Sequence, residues 1–327
     1  MTDRMRAMQV RALGAPLAPA TLPRPEPGPG EVRVAVRAAG INFADLLLRE
    51  GRYQERPELP FTLGMEASGI VDAVGAGVAD LRPGMRVMGY GGTGALAESA
   101  IFPAALVVPI PDAMSFIEAA AFPIAYGTSH VALAHRARLR PGERLLVLGA
   151  AGGVGLTAVE IGRLMGAEVI AVARGKARLE VARAAGARHL IDSETADLRE
   201  AVKALGGADV VYDPVGGEAF RAALRATNPE GRLIPIGFAS GEIPQIPANI
   251  LLVKNLTVIG LYWGGYAKFR PEVIGESFRQ LLDWYRAGHL KPHVSHVLPL
   301  ERAEEALALL GERKATGKVV VRVQAEE

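Results

Sequence analysis

The hydrophobic pattern changes rhythm near residue 115. Before it, the runs VRVAVRAAG, SGIVDAV, RVMGY, ESAIF and LVVPI are short, rich in β-branched residues and broken by glycine and proline. That punctuation predicts antiparallel strands in a barrel-like region with long loops. SFIEAAAFPIAYGTSHVALAHRA then has helical apolar spacing and an acidic first turn, which predicts a helix over 115–137. Behind it the near-continuous apolar runs RLLVLG, EVIAVA, RHLI, ADVVYD, RLIPIG and LTVIGLY alternate with helices that begin near Gly153, Gly175, Ala196, Gly217 and, less sharply, around Gly241. Strands apolar on both faces need a parallel sheet covered on both sides, so a doubly wound α/β sheet is expected. After Tyr262 the spacing predicts amphipathic helices over 271–287 and 300–312, then a last strand, KVVVRV, that returns to the first region. The expected domains are therefore 1–122 with 263–327, and 123–262.

Composition narrows the chemistry. The 327 residues carry 37 basic and 35 acidic side chains, a net charge of +2, with no basic block or aromatic-basic stripe, so a nucleic-acid partner is not expected. Only seven of the basic residues are lysine. With no cysteine, disulfides, thiolate nucleophiles and cysteine-ligated zinc are excluded. The opening MTDRMRAMQVRALG has no apolar run behind its charges, and no stretch approaches the roughly 20 apolar residues of a bilayer span, so a cytoplasmic protein without a membrane partner is expected.

Two stretches compete for a nucleotide phosphate. GYGGTG at 89–94 matches GxGxxG letter for letter, yet ALAESAIFP behind it leaves no room for a helix before Pro103. It reads as an active-site loop or structural turn, with Tyr90 as a wall, because the spelling alone is weak evidence. GAAGGVG at 149–155 has Ala150 where the first glycine of the pattern belongs, but it lies between an apolar strand and the helical GVGLTAVEIGRLM. A pyrophosphate needs that context, a strand, a tight turn and free helix N–H groups. Gly149 permits the turn, Gly152 and Gly153 permit close approach of the phosphates, and Gly155 permits close helix packing. Where the second strand ends, an acid would hold a ribose 2′-hydroxyl. Here Arg174, Lys176 and Arg178 stand instead, which favours NADP(H) over NAD(H). Solvated charges at a helix start are the alternative, although cations oppose the dipole there.

Residues 61–75, FTLGMEASGIVDAVG, contain GxExxGxxxxxG at Gly64, Glu66, Gly69 and Gly75. With INFADLLLREGRY, LGAAGGVG and YDPVGG, they resemble the medium-chain dehydrogenase/reductase family over nearly the whole chain. The resemblance implies a GroES-like β-barrel catalytic domain and a Rossmann NADP-binding domain. In zinc alcohol dehydrogenases a histidine ligand precedes that glutamate; here Met65 does, so zinc-independent chemistry is implied, with no metal site. The zinc-free branch it is similar to is the quinone oxidoreductase (zeta-crystallin-like) group. That implies Asn42 and Asp45 near the nicotinamide, Tyr53 at the substrate mouth and Thr128 against the nicotinamide. It also implies Gly152, Gly153, Val154, Arg174 and Arg178 along the phosphates, and Gly237 and Phe238 near the cofactor. Some members use a tyrosine after the third strand against the 2′-phosphate, where HLIDSE offers Ser193.

Plainer roles fit the same residues. Asn42 suits a loop backbone partner, Thr128 a bond within its own helix, and Asp45 a helix cap. Tyr53, in the polar REGRYQERPELP, is as readily an exposed loop residue as a catalytic one. Glu66 is expected to be a buried structural carboxylate. HLKPHVSH spaces His289, His293 and His296 like ligands but reads as a surface loop. The expected activity is NADPH-dependent reduction of a quinone. The alternatives are reduction of an activated C=C bond (enone or enoyl thioester) with Tyr53 as proton donor, or a low-turnover NADPH-binding crystallin-like or regulatory protein. The apolar edge strand LTVIGLY predicts a homodimer.

Overall fold

The structure, a computed structural model, describes residues 4–325, which divide into two compact units after Ile124 and at Lys291. The first unit is built on a seven-stranded sheet. Across it run Val294–Pro299, Lys318–Arg322, Glu31–Ile41, Glu66–Val74, Arg86–Tyr90 and Val107–Pro109, and Ser99–Pro103 pairs with Glu31–Ile41 off this path. A three-stranded sheet adds Ala18–Pro23, Arg4–Val10 and Phe61–Thr62. Alternation drives this half: in Glu31–Ile41 the valines at 32, 34 and 36 are buried and Glu31, Arg33 and Ala35 are less so. KVVVRV does return to the first region, its strand running antiparallel to Glu31–Ile41 with Val320 opposite Gly40. Two motif glycines are structural: a Cβ on Gly69 would fall 2.1 Å from Ala35 O, and one on Gly75 1.8 Å from Gly28 O.

The second unit holds a six-stranded sheet in the order His189–Asp192, Glu168–Ala173, Arg144–Leu148, Ala208–Asp213, Thr227–Pro235, Thr257–Val258, every pair parallel. This is the 3-2-1-4-5-6 order of a dinucleotide-binding sheet, in which the crevice opens between the first and fourth strands at their carboxyl ends. The strands are apolar on both faces because helices cover both; Leu145, Leu146 and Val147 are fully buried.

Four expectations are corrected. The helix over 115–137 is interrupted: Phe116–Ala120 starts at a capping box between Ser115 and Glu118, and a second helix, Pro123–His130, is followed by a π-helical turn, Val131–Arg136. Pro123 has no N–H for the carbonyl of Ala119, so a new helix starts there. LTVIGLY contributes only the two-residue strand Thr257–Val258. HLKPHVSH is not all loop, since Val294–Pro299 pairs with Lys318–Arg322. Finally, the second unit extends through Leu290, beyond residue 262. Its later helix Pro271–Arg286 packs there through Trp263 edge-on to Phe278 and His130 Nδ1 2.9 Å from Ser277 Oγ. No helix among the described residues is long and apolar enough to cross a membrane.

Candidate dinucleotide and active-site residues

GAAGGVG forms the turn at the carboxyl end of Arg144–Leu148 and leads into the helix Gly153–Leu164. Gly149 has φ +60°, and its loop abuts the end of the fourth strand, where an added Cβ would meet Val215 Cγ2 at 3.1 Å. Gly155 is required by packing, because a Cβ there would lie 2.2 Å from Gly149 O. Gly152 is the N-cap, is exposed and supplies no side-chain cap, so the first-turn N–H groups have no capping side chain. Ala150 is fully buried and leaves that face open. Such a terminus fits a pyrophosphate.

A buried hydroxyl network, not foreseen from the sequence, holds this turn from behind. Ser129 Oγ lies 2.9 Å from Val154 O, 2.8 Å from Thr157 Oγ1 and 2.8 Å from Tyr212 Oη. Thr128 precedes Ser129 and is itself largely buried. At the end of the fourth strand the buried Asp213 carboxylate accepts from Val215 N at 2.7 Å and Gly216 N at 3.0 Å, which fixes the YDPVGG turn. Burial raises its pKa and those N–H groups oppose the rise. Gly237 and the exposed Phe238 follow the fifth strand, with Gly237 N 3.4 Å from Asp213 O.

Arg174 caps the helix Gly175–Ala184, with Arg174 and Lys176 exposed and Arg178 half-buried. The acid missing from the second strand comes from the third: Asp192 Oδ1 accepts from Gly175 N and from Glu194 N, both at 3.0 Å. Those hydrogen bonds hold its pKa below the usual carboxylate range. Ser193 beside it is exposed.

In the first unit, Asn42 and Asp45 begin the helix Phe43–Arg49, and Asp45 Oδ2 accepts from Asn42 N at 2.8 Å. The expected cap is therefore present. Glu66 is completely buried, as expected, and both its oxygens are occupied. Oε1 takes Asn42 Nδ2 at 2.8 Å and Lys318 Nζ at 2.7 Å, and Oε2 takes Ile124 N at 2.7 Å. Gly40 makes room for this carboxylate, for a Cβ there would lie 2.6 Å from Oε1. Lys318, which sequence reasoning passed over, completes the cluster by donating to Ile41 O at 2.9 Å and Asn42 Oδ1 at 2.6 Å. Met65 is buried beside it. Tyr53 is half-buried against the barrel core. Tyr90 is buried rather than a wall, while Gly91, Thr93 and Gly94 of GYGGTG line a recess of 390 Å³ with Met5, Pro25 and Ser99. No helix follows that loop, so it lacks the terminus a phosphate needs.

Asp45 is fully buried, and its Oδ1 has no hydrogen-bond partner among the described residues. Burial pushes its pKa from 3.8 up to about 7; the Asn42 N–H and the Lys318 ammonium oppose the rise and Glu66 adds to it. The folded protein therefore keeps a proton that the unfolded chain releases near pH 3.8, and stability falls as pH rises from there to about 7. Asp45→Asn keeps the acceptor and removes the charge. Its Tm advantage over the parent should grow between pH 5 and pH 8; an advantage that does not change with pH would show that Asp45 does not titrate in this range.

A barrel with this buried glutamate and a doubly wound sheet with this glycine turn define a two-domain oxidoreductase fold of the alcohol-dehydrogenase kind. The model of the alcohol dehydrogenase GroES-like domain matches residues 28–112, and that of the zinc-binding dehydrogenase matches 153–285. The quinone oxidoreductase-like protein 2 homolog of Nematostella vectensis is 45% identical over 300 residues, 90% of this chain and 82% of that protein. The quinone oxidoreductase of Thermus thermophilus, solved alone and with NADPH, is 36% identical with a TM-score of 0.85, covering 97% of this chain and 100% of that one. The Escherichia coli quinone oxidoreductase complexed with NADPH is 30% identical with a TM-score of 0.90 over the same shares. The chain belongs to the medium-chain dehydrogenase/reductase family, in its quinone oxidoreductase group.

Proposed function

We propose that this protein is a zinc-independent, NADPH-dependent reductase of quinones. The observation that carries the reading is the Gly149–Gly155 turn, whose helix start has an exposed glycine N-cap and no capping side chain where a pyrophosphate fits, with Arg174, Lys176 and Arg178 at the next strand end. Its chemical class draws support from NADPH in the Thermus and Escherichia coli relatives. Zinc does not suit the donor set. The chain has no thiolate, Met65 stands beside Glu66, and Lys318, Asn42 and Ile124 occupy the glutamate oxygens.

NADPH, when bound, supplies the hydride, and a quinone that accepts it takes one solvent proton to become the hydroquinone. The residues of this chain then have to hold and orient, with no covalent catalyst. Asn42, Asp45 and Thr128 are the candidates on the nicotinamide side, with Gly237 and Phe238 along the cofactor. Reduction of an activated C=C bond needs a proton delivered to carbon, and Tyr53 is the donor in that case. A panel of quinones, enones and enoyl thioesters with NADPH separates these readings, and NADPH binding without turnover on any of them would favour a binding protein. Tyr53→Phe should leave quinone reduction near the parent rate. If enones are the true substrates, the same change should lower their reduction about 100-fold or more.

The partner we propose is a second copy of the chain, which pairs along the sheet edge at Thr257–Val258. Leu252 and Val253 in the preceding helix are 76% and 72% exposed, which supports a covered face. Micromolar protein that sediments as a monomer would dismiss the dimer.

A further inference from the structure

We infer that Lys318 and Glu66 are positioning residues that fix the Asn42 carboxamide with its oxygen inward, so that Asn42 can offer a ligand only an N–H donor. The cluster is shielded from solvent: Glu66 is 0%, Lys318 5% and Asn42 8% exposed. The ammonium of Lys318 has three protons and three acceptors, Ile41 O, Asn42 Oδ1 and Glu66 Oε1, at 2.9, 2.6 and 2.7 Å. Nothing remains on Lys318 for another partner. Asn42 Oδ1 thus faces a cation and Nδ2 faces the Glu66 carboxylate at 2.8 Å. Turning the amide over would set its NH2 against the ammonium and its oxygen against the carboxylate, two repulsions in a buried site of low dielectric. Its own backbone N–H is held by Asp45, so the whole residue is anchored.

One Nδ2 hydrogen is left, and its direction is set by groups distant in sequence. A buried ion pair is often no more stabilising than apolar residues of the same volume, so stability alone does not account for this one. Orientation does. A fixed donor suits an acceptor oxygen, the class to which the carbonyl of a quinone or enone belongs, and binds it more strongly as hydride arrival at the ring places negative charge on that oxygen. It excludes ligands that would present a donor at the same point. Use of the donor rests on the reductase reading above; the lock on its orientation does not.

The test is the paired variant Glu66→Gln with Lys318→Met, which removes both charges together and leaves no uncompensated ion. A glutamine at position 66 keeps its oxygen on the Ile124 N–H and turns its NH2 toward Asn42, so in the variant the Asn42 amide is no longer held with its own NH2 inward and is free to turn over. Two measurements are needed. Hydrogen exchange of the Asn42 side-chain amide, followed by NMR in protein without substrate, should be slow in the parent and at least about tenfold faster in the variant. Steady-state kinetics with a quinone should show kcat lowered about tenfold while the Kd for NADPH is unchanged, a split that a general loss of folding would not give. Unchanged amide exchange in a folded variant overturns the lock. Faster exchange with parental kcat overturns the role of the donor. If the parent reduces no carbonyl acceptor, the reductase reading fails while the exchange experiment still decides the lock. Should the paired variant not fold, Asn42→Ala, which deletes the donor without setting a second carboxylate against Glu66, supplies the kinetic arm. A parental kcat in that variant overturns the role of the donor as well.

Discussion

Gly152→Ala is expected to weaken NADPH binding at least tenfold without lowering the Tm, whereas Gly155→Ala is expected to lower the Tm. The two glycines are three residues apart in one turn and differ in what surrounds them. Gly152 has φ −83° and ψ 175°, extended backbone that alanine adopts freely, and its nearest new contact, Gly149 O at 3.4 Å, is ordinary. Its methyl group would stand on the exposed face where the pyrophosphate must approach the helix N–H groups. A tenfold loss corresponds to about 1.4 kcal/mol, a small demand for displacing a charged group from its closest approach. At Gly155 the methyl would meet Gly149 O at 2.2 Å, Gly149 C at 2.8 Å and Ala150 Cα at 3.0 Å, all backbone. The helix must shift outward, and such overpacking costs about 1–3 kcal/mol or more. Titration of NADPH fluorescence and thermal unfolding read the two effects separately. Parental affinity in Gly152→Ala would move the pyrophosphate away from this turn.

How far the sequence reached follows from the range of the forces involved. The parallel strands were legible because Leu145, Val147, Ile170 and Val211 belong to apolar runs, and a run buried on both faces needs no distant information to be recognised. The turn at Gly149–Gly155 was legible for the same reason, by its strand before and helix after. LTVIGLY was misread because apolarity makes a strand only where a neighbour pairs, and among the described residues the pairing covers Thr257 and Val258 and ends with Ile259 N on Leu233 O at 2.8 Å. Val294–Pro299 was missed because its apolar positions are interrupted by Ser295 and His296, and its partner strand lies beyond the helix Ala303–Gly311. Lys318 was the least legible. At the head of KVVVRV it has the look of a solvated strand end, and its burial depends on Ile41, Asn42 and Glu66, more than 250 residues earlier. A lysine opening an apolar strand, in a chain with only seven lysines among 37 basic residues, was the available signal. Asp192 was overlooked because the acid was sought at the end of the second strand, while the start of the next helix is reached from the third.

That acid sharpens the cofactor question, because a 2′-phosphate at this strand end would have to sit near a carboxylate. A helix N-terminus favours an anion, and Asp192 already supplies one at Gly175 N. Beside an anionic Asp192 a 2′-phosphate is acceptable only if strong cations outweigh the repulsion. Arg174→Ala with Arg178→Ala should lower NADPH affinity about 100-fold, as two lost charge-assisted contacts of about 1.4 kcal/mol each would give. NADH affinity should stay within about threefold of the parent, since NADH lacks the phosphate that the arginines would contact. The parental preference for NADPH should also shrink with added salt, because these charges are near the surface. Asp192→Asn tests the opposing charge: it keeps the acceptor for Gly175 N, removes the repulsion, and should raise affinity for NADPH but not for NADH. Equal losses of NADPH and NADH affinity in the double arginine variant would place these side chains on the shared pyrophosphate. The preference for NADP(H) would then have no basis in this strand end.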